Sequence, residues 1–595
     1  MKLIAGRIRY NAHDFAATIP SRRIASANLP EFLLSTLGAA CPSGANIAGM
    51  SDSTRLSRSR FWNGVPAAMA FTLMVAQAAL PWTATHFVTQ DGPSHLYNAV
   101  IVRDLALDLH SPYAPVYAIQ RKFVSNWGTV VVFNCLVSLF GVQHAEQGMA
   151  TLCVFLGFVS LAYFIRSLEP RGSPWSPILN FLLCTQFLWI GFYNFYLGMA
   201  VFPLVAGYYV RRMGEMSLRR TAVVACGLAA LFFMHAVAMA LAFLTMTVVC
   251  LWCLVTAPLL LSDPKRKAIL AVSEALRPVG WLLLAVVPTA VVAVTVVGTT
   301  GFDGVRGDLV SSWNSFPFHL FAGSGGRTGE QLLLYPAMLF YMAVGAAAVR
   351  RREMAMARAG AFAAAGLVFV LCLAGPESAF GADALKPRLA WGVFILGCAA
   401  ASTVSRLRPL RTPVSVFVAC MVAGTLATAQ RRNTASVSSA IDAYAAAMER
   451  IPAGSTLVRV LFPTDRARAR FGFQDVVSNP LYHIDALVAA QRRLVDLSDY
   501  QAGRELFPVH FSNRMPDDLR HPLWMLEGGP TDTAPVLRRV LNECPIPIDY
   551  VVVVGDRPPA DRAPDFNATL QELDSRMDLF AVDSTNTFVL VYRRK

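Results

Sequence analysis

The sequence predicts an α-helical polytopic membrane protein that ends in a soluble C-terminal domain of α/β or α+β type. Of its residues, 55% are hydrophobic and only 15% charged, with a mean hydropathy of +0.46, a composition that excludes an ordinary soluble globular enzyme. Apolar runs of roughly 17–25 residues, the length needed to cross the hydrocarbon, recur between about Phe61 and Ala429. From about Gln430 to Lys595 the composition turns ordinary, over a stretch long enough to bury a core of its own.

Residues 1–60 are polar and lack a continuous apolar stretch followed by a small-residue cleavage site, so they do not read as a signal peptide. They read as a disordered cytoplasmic lead, and Met50 opens a segment that would serve as an ordinary start. Residues 61–429 carry about eleven spans on a 17–25-residue criterion. The first covers about Asn63 to Trp82, the second about Glu146 to Ile165, and the others centre on Phe181, Phe202, Leu228, Thr247, Val287, Leu339, Val368, Phe394 and Val418. The apolar stretch through Leu228 and Thr247 is too long for one helix at about 1.5 Å per residue, which places a tight junction near His235.

Short cytoplasmic loops carry the Lys and Arg excess. The basic clusters at Arg55–Arg60, Arg166–Arg171, Arg211–Arg220, Lys265–Lys267, Arg350–Arg352 and Arg406–Arg411 all fall on one side of an eleven-span plan. The N-terminus is then cytoplasmic and the C-terminal domain, 430–595, extracytoplasmic. This pattern accounts for the net charge of +14 without a nucleic-acid partner. The segment Trp127–Val142 is apolar but contains Asn134, and counting it as a span would invert every later loop. It reads as an interfacial or partly re-entrant helix inside a long first outer loop, 83–145.

In the tail, Ser436–Arg450 has the pattern of an amphipathic helix, while Thr456–Phe462, Tyr550–Val554 and Phe588–Tyr592 read as strands. The eleven cysteines imply no disulfide framework. Cys250 and Cys253 have redox spacing but sit in the middle of a span, where packing explains them. The sequon Asn567–Thr569 reads as incidental, and His483, His510 and His521 lack metal-ligand spacing.

The most informative stretch is Gln90-Asp91-Gly92-Pro93-Ser94-His95-Leu96-Tyr97-Asn98, just past the first span. Asp91 before Gly-Pro can cap a helix, or it can be a general base. His95, four residues on, is placed for a helical Asp–His pair. The same outer side collects Asn194 within Gly191–Gly198, then His235, Lys386 and Arg388, and loop acids such as Asp303, Asp308, Glu377 and Asp383, of which Asp303 and Asp383 read as solvated. A carboxylate can take a proton from an attacking hydroxyl, Arg and Lys can hold a phosphate, and aromatic residues such as Trp127, Tyr193 and Tyr196 can line an apolar groove. Together they describe group transfer from a lipid-linked phosphate donor.

Asp91-Gly92-Pro93-Ser94-His95, the amphipathic stretch Leu96–Leu109 and the span plan resemble the polytopic glycosyltransferases of the C-type (GT-C) fold, which include protein mannosyltransferases and the aminoarabinose transferases of lipid A. The resemblance covers most of residues 61–429. It implies a bacterial inner-membrane enzyme with a polyprenyl-phosphate-linked sugar as donor and an envelope glycan, lipid or protein as acceptor. It makes Asp91 the catalytic base, with His95 beside it, and Arg388 a phosphate contact; Asn98, Asn194, His235 and Lys386 complete the expected substrate-binding set. Gly92 departs from the pattern, because many members carry a second acid there. With no carboxylate at the outer ends of spans three and four, no cofactor is expected, since a divalent cation wants several oxygen ligands. Two other classes remain open: a transporter or flippase of amphiphilic cargo, which prefers discontinuous spans and charges at mid-bilayer, and a non-catalytic envelope assembly protein acting through its tail.

Overall fold

The computed structural model describes the chain from Ser53 onward, except residues 122–123, 170–176, 184, 260–263, most of 301–355, 377–384, most of 402–434, 463–478, 480, 505, 527–532, 556–562 and 584–588. The expected cytoplasmic lead therefore lies for the most part outside the described residues, as do most of the spans expected around Leu339 and Val418, the loop acids Asp303, Asp308, Glu377 and Asp383, and Phe588. The chain divides into two compact units, Met1–Arg60 and Phe61–Lys595, and the second holds the elements that build the site.

Helix α1 (Ser53–Ala79) is followed by the loop that carries Thr89–Asp91, by α2 (Gly92–Leu107), and by the short strand β1 (Tyr117–Ile119). Next comes α3 (Trp127–Leu168), which breaks at Gly141, where φ is 75° and ψ is 169°. The part before the break, at about 1.5 Å per residue, spans only about 21 Å and is too short to cross hydrocarbon about 30 Å thick. Its exposed Val131, Leu139 and Phe140 form an apolar surface of the kind that lies at a membrane interface.

The span expected around Phe181 is divided into α4 (Pro177–Leu183) and α5 (Gln186–Ile190). Carbonyls freed by such a break need donors when water is excluded. Trp391 Nε1 donates to the Leu182 carbonyl at 2.8 Å and the Tyr196 hydroxyl to that of Leu183 at 2.6 Å. The helices α6 (Tyr193–Arg212), α7 (Leu218–Met234) and α8 (Ala236–Leu259) follow, the last two separated by a single extended residue, His235. Then come α9 (Pro264–Thr300), α10 (Met356–Ala374) and α11 (Leu385–Ala401). Among the described residues, four segments are long and apolar enough to cross a membrane: Trp127–Leu168, Ala236–Thr256, Leu276–Val294 and Met356–Ala374. The protein is thus a multi-pass, mostly helical membrane protein with a sheet region at its C-terminal end.

That region begins with α12 (Ala435–Met448), β2 (Thr456–Leu461), α13 (Ile484–Arg492), β3 (Val495–Asp496) and β4 (Val509–Phe511). It continues through α14 (Asp517–Met525), α15 (Thr533–Glu543), β5 (Tyr550–Val554), α16 (Ala563–Arg576), β6 (Met577–Val582) and β7 (Val589–Arg594). The five-stranded sheet runs β3-β2-β5-β7-β6, parallel across the first three strands and antiparallel across the rest. All five residues of β5 are buried, which is why that strand is an unbroken Tyr-Val run rather than an alternating one.

The tail and the segment between α1 and α3 are interlocked. β1 pairs antiparallel with β4, with Tyr117 opposite Phe511 and Ile119 opposite Val509. Tyr97 on α2 is fully buried; its hydroxyl donates to the Leu494 carbonyl at 2.9 Å and accepts the Asp496 amide at 2.8 Å. Its ring packs edge-on against Tyr113 and Tyr117. Arg493 closes the outer edge by pairing with Asp104 at 2.9 Å and Asp108 at 3.0 Å. Removing the Tyr97 hydroxyl leaves two buried backbone groups unpaired, each at a cost of about 1–3 kcal/mol. Tyr97→Phe should therefore lower the unfolding temperature of the detergent-solubilised protein and hasten proteolysis of the tail, measured by thermal melting and limited trypsin digestion.

Candidate functional site

The site starts from how the chain enters α2. The segment before the helix is hydrogen-bonded to the turn after α5: the Gln90 amide donates to the Trp189 carbonyl at 3.3 Å and the Asp91 amide to that of Ile190 at 2.8 Å. Gly191 closes that turn at φ +79°, and a Cβ there would lie 2.2 Å from Thr89 Oγ1, so a glycine is needed for conformation and space alike.

Behind this segment lies Glu146, buried on α3 shortly past the Gly141 break. Its Oε1 accepts the Thr89 amide at 2.9 Å, the Thr89 hydroxyl at 2.6 Å and the Tyr193 hydroxyl at 3.2 Å. Thr89 Oγ1 in turn accepts the Gly92 amide at 3.1 Å. A Cβ on residue 92 would stand 1.9 Å from Glu146 Oε1. Glu146, from another helix, thus fills the space that a side chain at position 92 would use.

Asp91 occupies the N-cap position of α2, yet its side chain makes no capping hydrogen bond. The carboxylate turns instead toward the tail. Its Oδ2 accepts the Tyr500 hydroxyl at 3.0 Å and its Oδ1 the Gln90 side-chain Nε2 at 3.2 Å, with His483 Nε2 at 3.8 Å from Oδ1. Burial pushes the Asp91 carboxyl up to about 6, against the Tyr500 and Gln90 hydrogen bonds and the charges of Arg504 and Arg388, which favour the ionised form. Burial also holds His483 well below the usual imidazole range, so its approach to Asp91 is that of a neutral ring.

His95 makes only a backbone contact with Asp91, its amide donating to the Asp91 carbonyl at 3.1 Å. Its Nδ1 lies 3.1 Å from Gln501 Nε2, and burial lowers its pKa to about 3, leaving a neutral ring. Asp91 and His95 are therefore joined through Tyr500 and Gln501 rather than as a direct helical pair. Asn98 is engaged with the tail: its Nδ2 donates to Asp499 Oδ2 at 3.0 Å, to the Ser94 carbonyl at 2.9 Å and toward Gln501 Oε1 at 3.2 Å. Ser94 donates to the other Asp499 oxygen at 3.0 Å.

Of the remaining expected residues, Arg388 and His235 meet in a second group. Arg388 Nη1 donates to His235 Nε2, and the Val237 backbone amide lies 3.2 Å from the other ring nitrogen, Nδ1. The Arg388 guanidinium also stacks on Phe192 and Phe195, at 4.9 and 5.1 Å from the ring centroids. Lys386 and Arg388, both buried, stand in the first turn of α11, where the helix dipole already supplies positive charge. Asn194 is elsewhere: its Oδ1 accepts the Thr129 hydroxyl, next to the tyrosine that holds Glu146.

Sequence reasoning missed Glu146, Tyr500, Gln501, His483 and Asp499. Glu146 had a signal, as the lone carboxylate in the apolar run from Trp127 to Ile165. The tail residues had none, because nothing local marks a loop that folds back over 400 residues of chain. Among the described residues no cluster of His, Cys, Asp or Glu is placed to hold a metal ion.

Fold and site together define a helical membrane protein whose buried carboxylate is enclosed by its C-terminal region. No family model matches the chain, and no curated protein does. Among solved structures it is similar to the crystal structure of ArnT from Cupriavidus metallidurans in the apo state, at 12% identity and a TM-score of 0.44, over 91% of this chain and 98% of that chain. So coarse a likeness brings no residue of the site with it.

The Gly92–Glu146 contact yields a double-mutant test. Gly92→Ala should destabilise the protein strongly, and combining it with Glu146→Ala should cost less than the sum of the two single changes; melting temperatures of the four proteins measure the coupling.

Proposed function

We propose that the protein is a membrane glycosyltransferase that moves a sugar from a polyprenyl-phosphate-linked donor to an envelope acceptor on the outer side of a bacterial inner membrane. The observation that carries this reading is Asp91, a buried carboxylate at a helix start that forgoes its cap and whose proton affinity lies near neutrality. Such a group suits general-base work.

In the reaction, the acceptor hydroxyl oxygen bonds to the anomeric carbon of the donor sugar. The bond from that carbon to the phosphate oxygen breaks, and its electrons leave with the polyprenyl phosphate. Asp91 takes the acceptor proton. Arg388 and Lys386, at the start of α11 with the Phe192 and Phe195 faces beside them, are suited to the leaving phosphate and the apolar groove of its lipid. The tail and the α2 loop belong on the outer face in this scheme, which excludes cytosolic nucleotide-sugars as donors.

Membranes containing the protein, supplied with a panel of labelled polyprenyl-phosphate sugars, should turn one of them over. Movement of a labelled lipid across liposomes without cleavage of its glycosyl-phosphate bond would replace this scheme with a transporter. Asp91→Asn should cut transfer by about 10²–10⁴-fold, the usual worth of a general base. The same variant removes a buried charge, so its unfolding temperature at pH 7 should be no lower than that of the wild type; full activity in it would end the base assignment. The base acts only when ionised, and its pKa lies above the ordinary carboxylate value, at about 6. In a pH–rate profile kcat/KM should therefore fall as pH drops through about 6 rather than near 4.

A further inference from the structure

We propose that Tyr500, contributed by the C-terminal region, is a positioning residue for Asp91: its phenol orients the carboxylate and favours the ionised form that accepts a proton. This rests on Asp91 being the base, and it makes the tail a wall of the reaction site rather than an appended domain.

The geometry leaves the Tyr500 proton one destination. Gln501 Nε2 donates to the Tyr500 oxygen at 3.2 Å and lies 3.1 Å from His95 Nδ1. The orientation of that amide is set by Asn98, whose Nδ2 can only donate and lies 3.2 Å from Gln501 Oε1. With its acceptor role met by Gln501, the Tyr500 hydroxyl donates to Asp91 Oδ2 at 3.0 Å. The same chain assigns the His95 proton to Nε2. The phenol ring is held on three sides: stacked on His483 at 4.7 Å between centroids, covered by the Arg504 guanidinium at 5.6 Å, and met edge-on by Phe507 at 6.4 Å. The loop itself is anchored independently of the phenol, since Asp499 takes Ser94 and Asn98.

Among the described residues, the other ionisable groups around Asp91 are His483 beside Oδ1, His95 one turn along α2, Arg504 and Asp499 on the tail, Arg388 on α11, and Glu146 behind Gly92. Arg504 and Arg388 share the stabilisation of the carboxylate with Tyr500 and remain when the phenol is removed.

The test reads Asp91 directly. Dicyclohexylcarbodiimide adds to protonated, buried carboxyls, so the pH of half-maximal labelling of Asp91, followed by mass spectrometry of the full-length protein, reports its proton affinity without any transfer assay. Removing a donor to the charged form raises a carboxyl pKa. Tyr500→Phe, which keeps the stack on His483, should move the labelling midpoint and the acid limb of the pH–rate profile up together by about one pH unit. Phe507→Leu loosens the same loop but spares the phenol and should leave the midpoint in place. An unchanged midpoint in Tyr500→Phe, or equal shifts in both variants, would overturn the proposal. Its failure is separable from failure of the base assignment, which Asp91→Asn tests alone.

Discussion

Glu146 gathers the Thr89 amide, the Thr89 hydroxyl and the Tyr193 hydroxyl onto one oxygen, and that convergence leaves no room for a side chain at position 92. A carboxylate taken out of water keeps its place only when hydrogen bonds replace the hydration it gave up. Here the loop and a neighbouring helix supply them to Oε1, while the buried Oε2 has none among the described residues, and the bonds to Oε1 fix where α2 begins. Because Gly92 and Gly191 let backbone approach Thr89 closely, the first residue of the motif is delivered to one place.

Asp91 inherits that placement. At an N-cap the cheapest use of an aspartate is to bond the free amides of the first turn, and this one does otherwise. Its carboxylate is left to the tail, where the phenol of Tyr500 and the neutral ring of His483 meet it. The site is therefore made by two stretches of chain about 400 residues apart, held in register by Tyr97, by the pairing of β1 with β4, and by Asp499. The cationic end, Arg388 with His235, is assembled separately, at the single extended residue between α7 and α8. The two groups thus have different structural supports, and the charge of Arg388 links them by favouring the ionised form of Asp91.

Membrane class, the junction at His235 and the tail strands could all be read from periodicity and punctuation. These signals survive in one dimension because each reflects a local requirement: a length of apolar chain to cross hydrocarbon, or a run of valines for a strand buried on both faces. Thr456–Phe462 and Tyr550–Val554 were legible as strands for that reason, and the structure has β2 and β5 there. Asp91 was legible as a candidate because a carboxylate at a membrane mouth is costly. Whether it capped or reacted was not, since Asp-Gly-Pro fits both roles equally.

Sequence alone determined that the chain is a multi-pass helical membrane protein with a sheet-bearing tail, because hydrophobic length and period are properties of consecutive residues. Only the tertiary structure decided that Glu146 fills the space beside Gly92, that Asp91 faces Tyr500 instead of its own helix, and that His95 joins it through Gln501. Those outcomes depend on which distant groups arrive to satisfy a buried polar atom, and no periodicity in the chain encodes that.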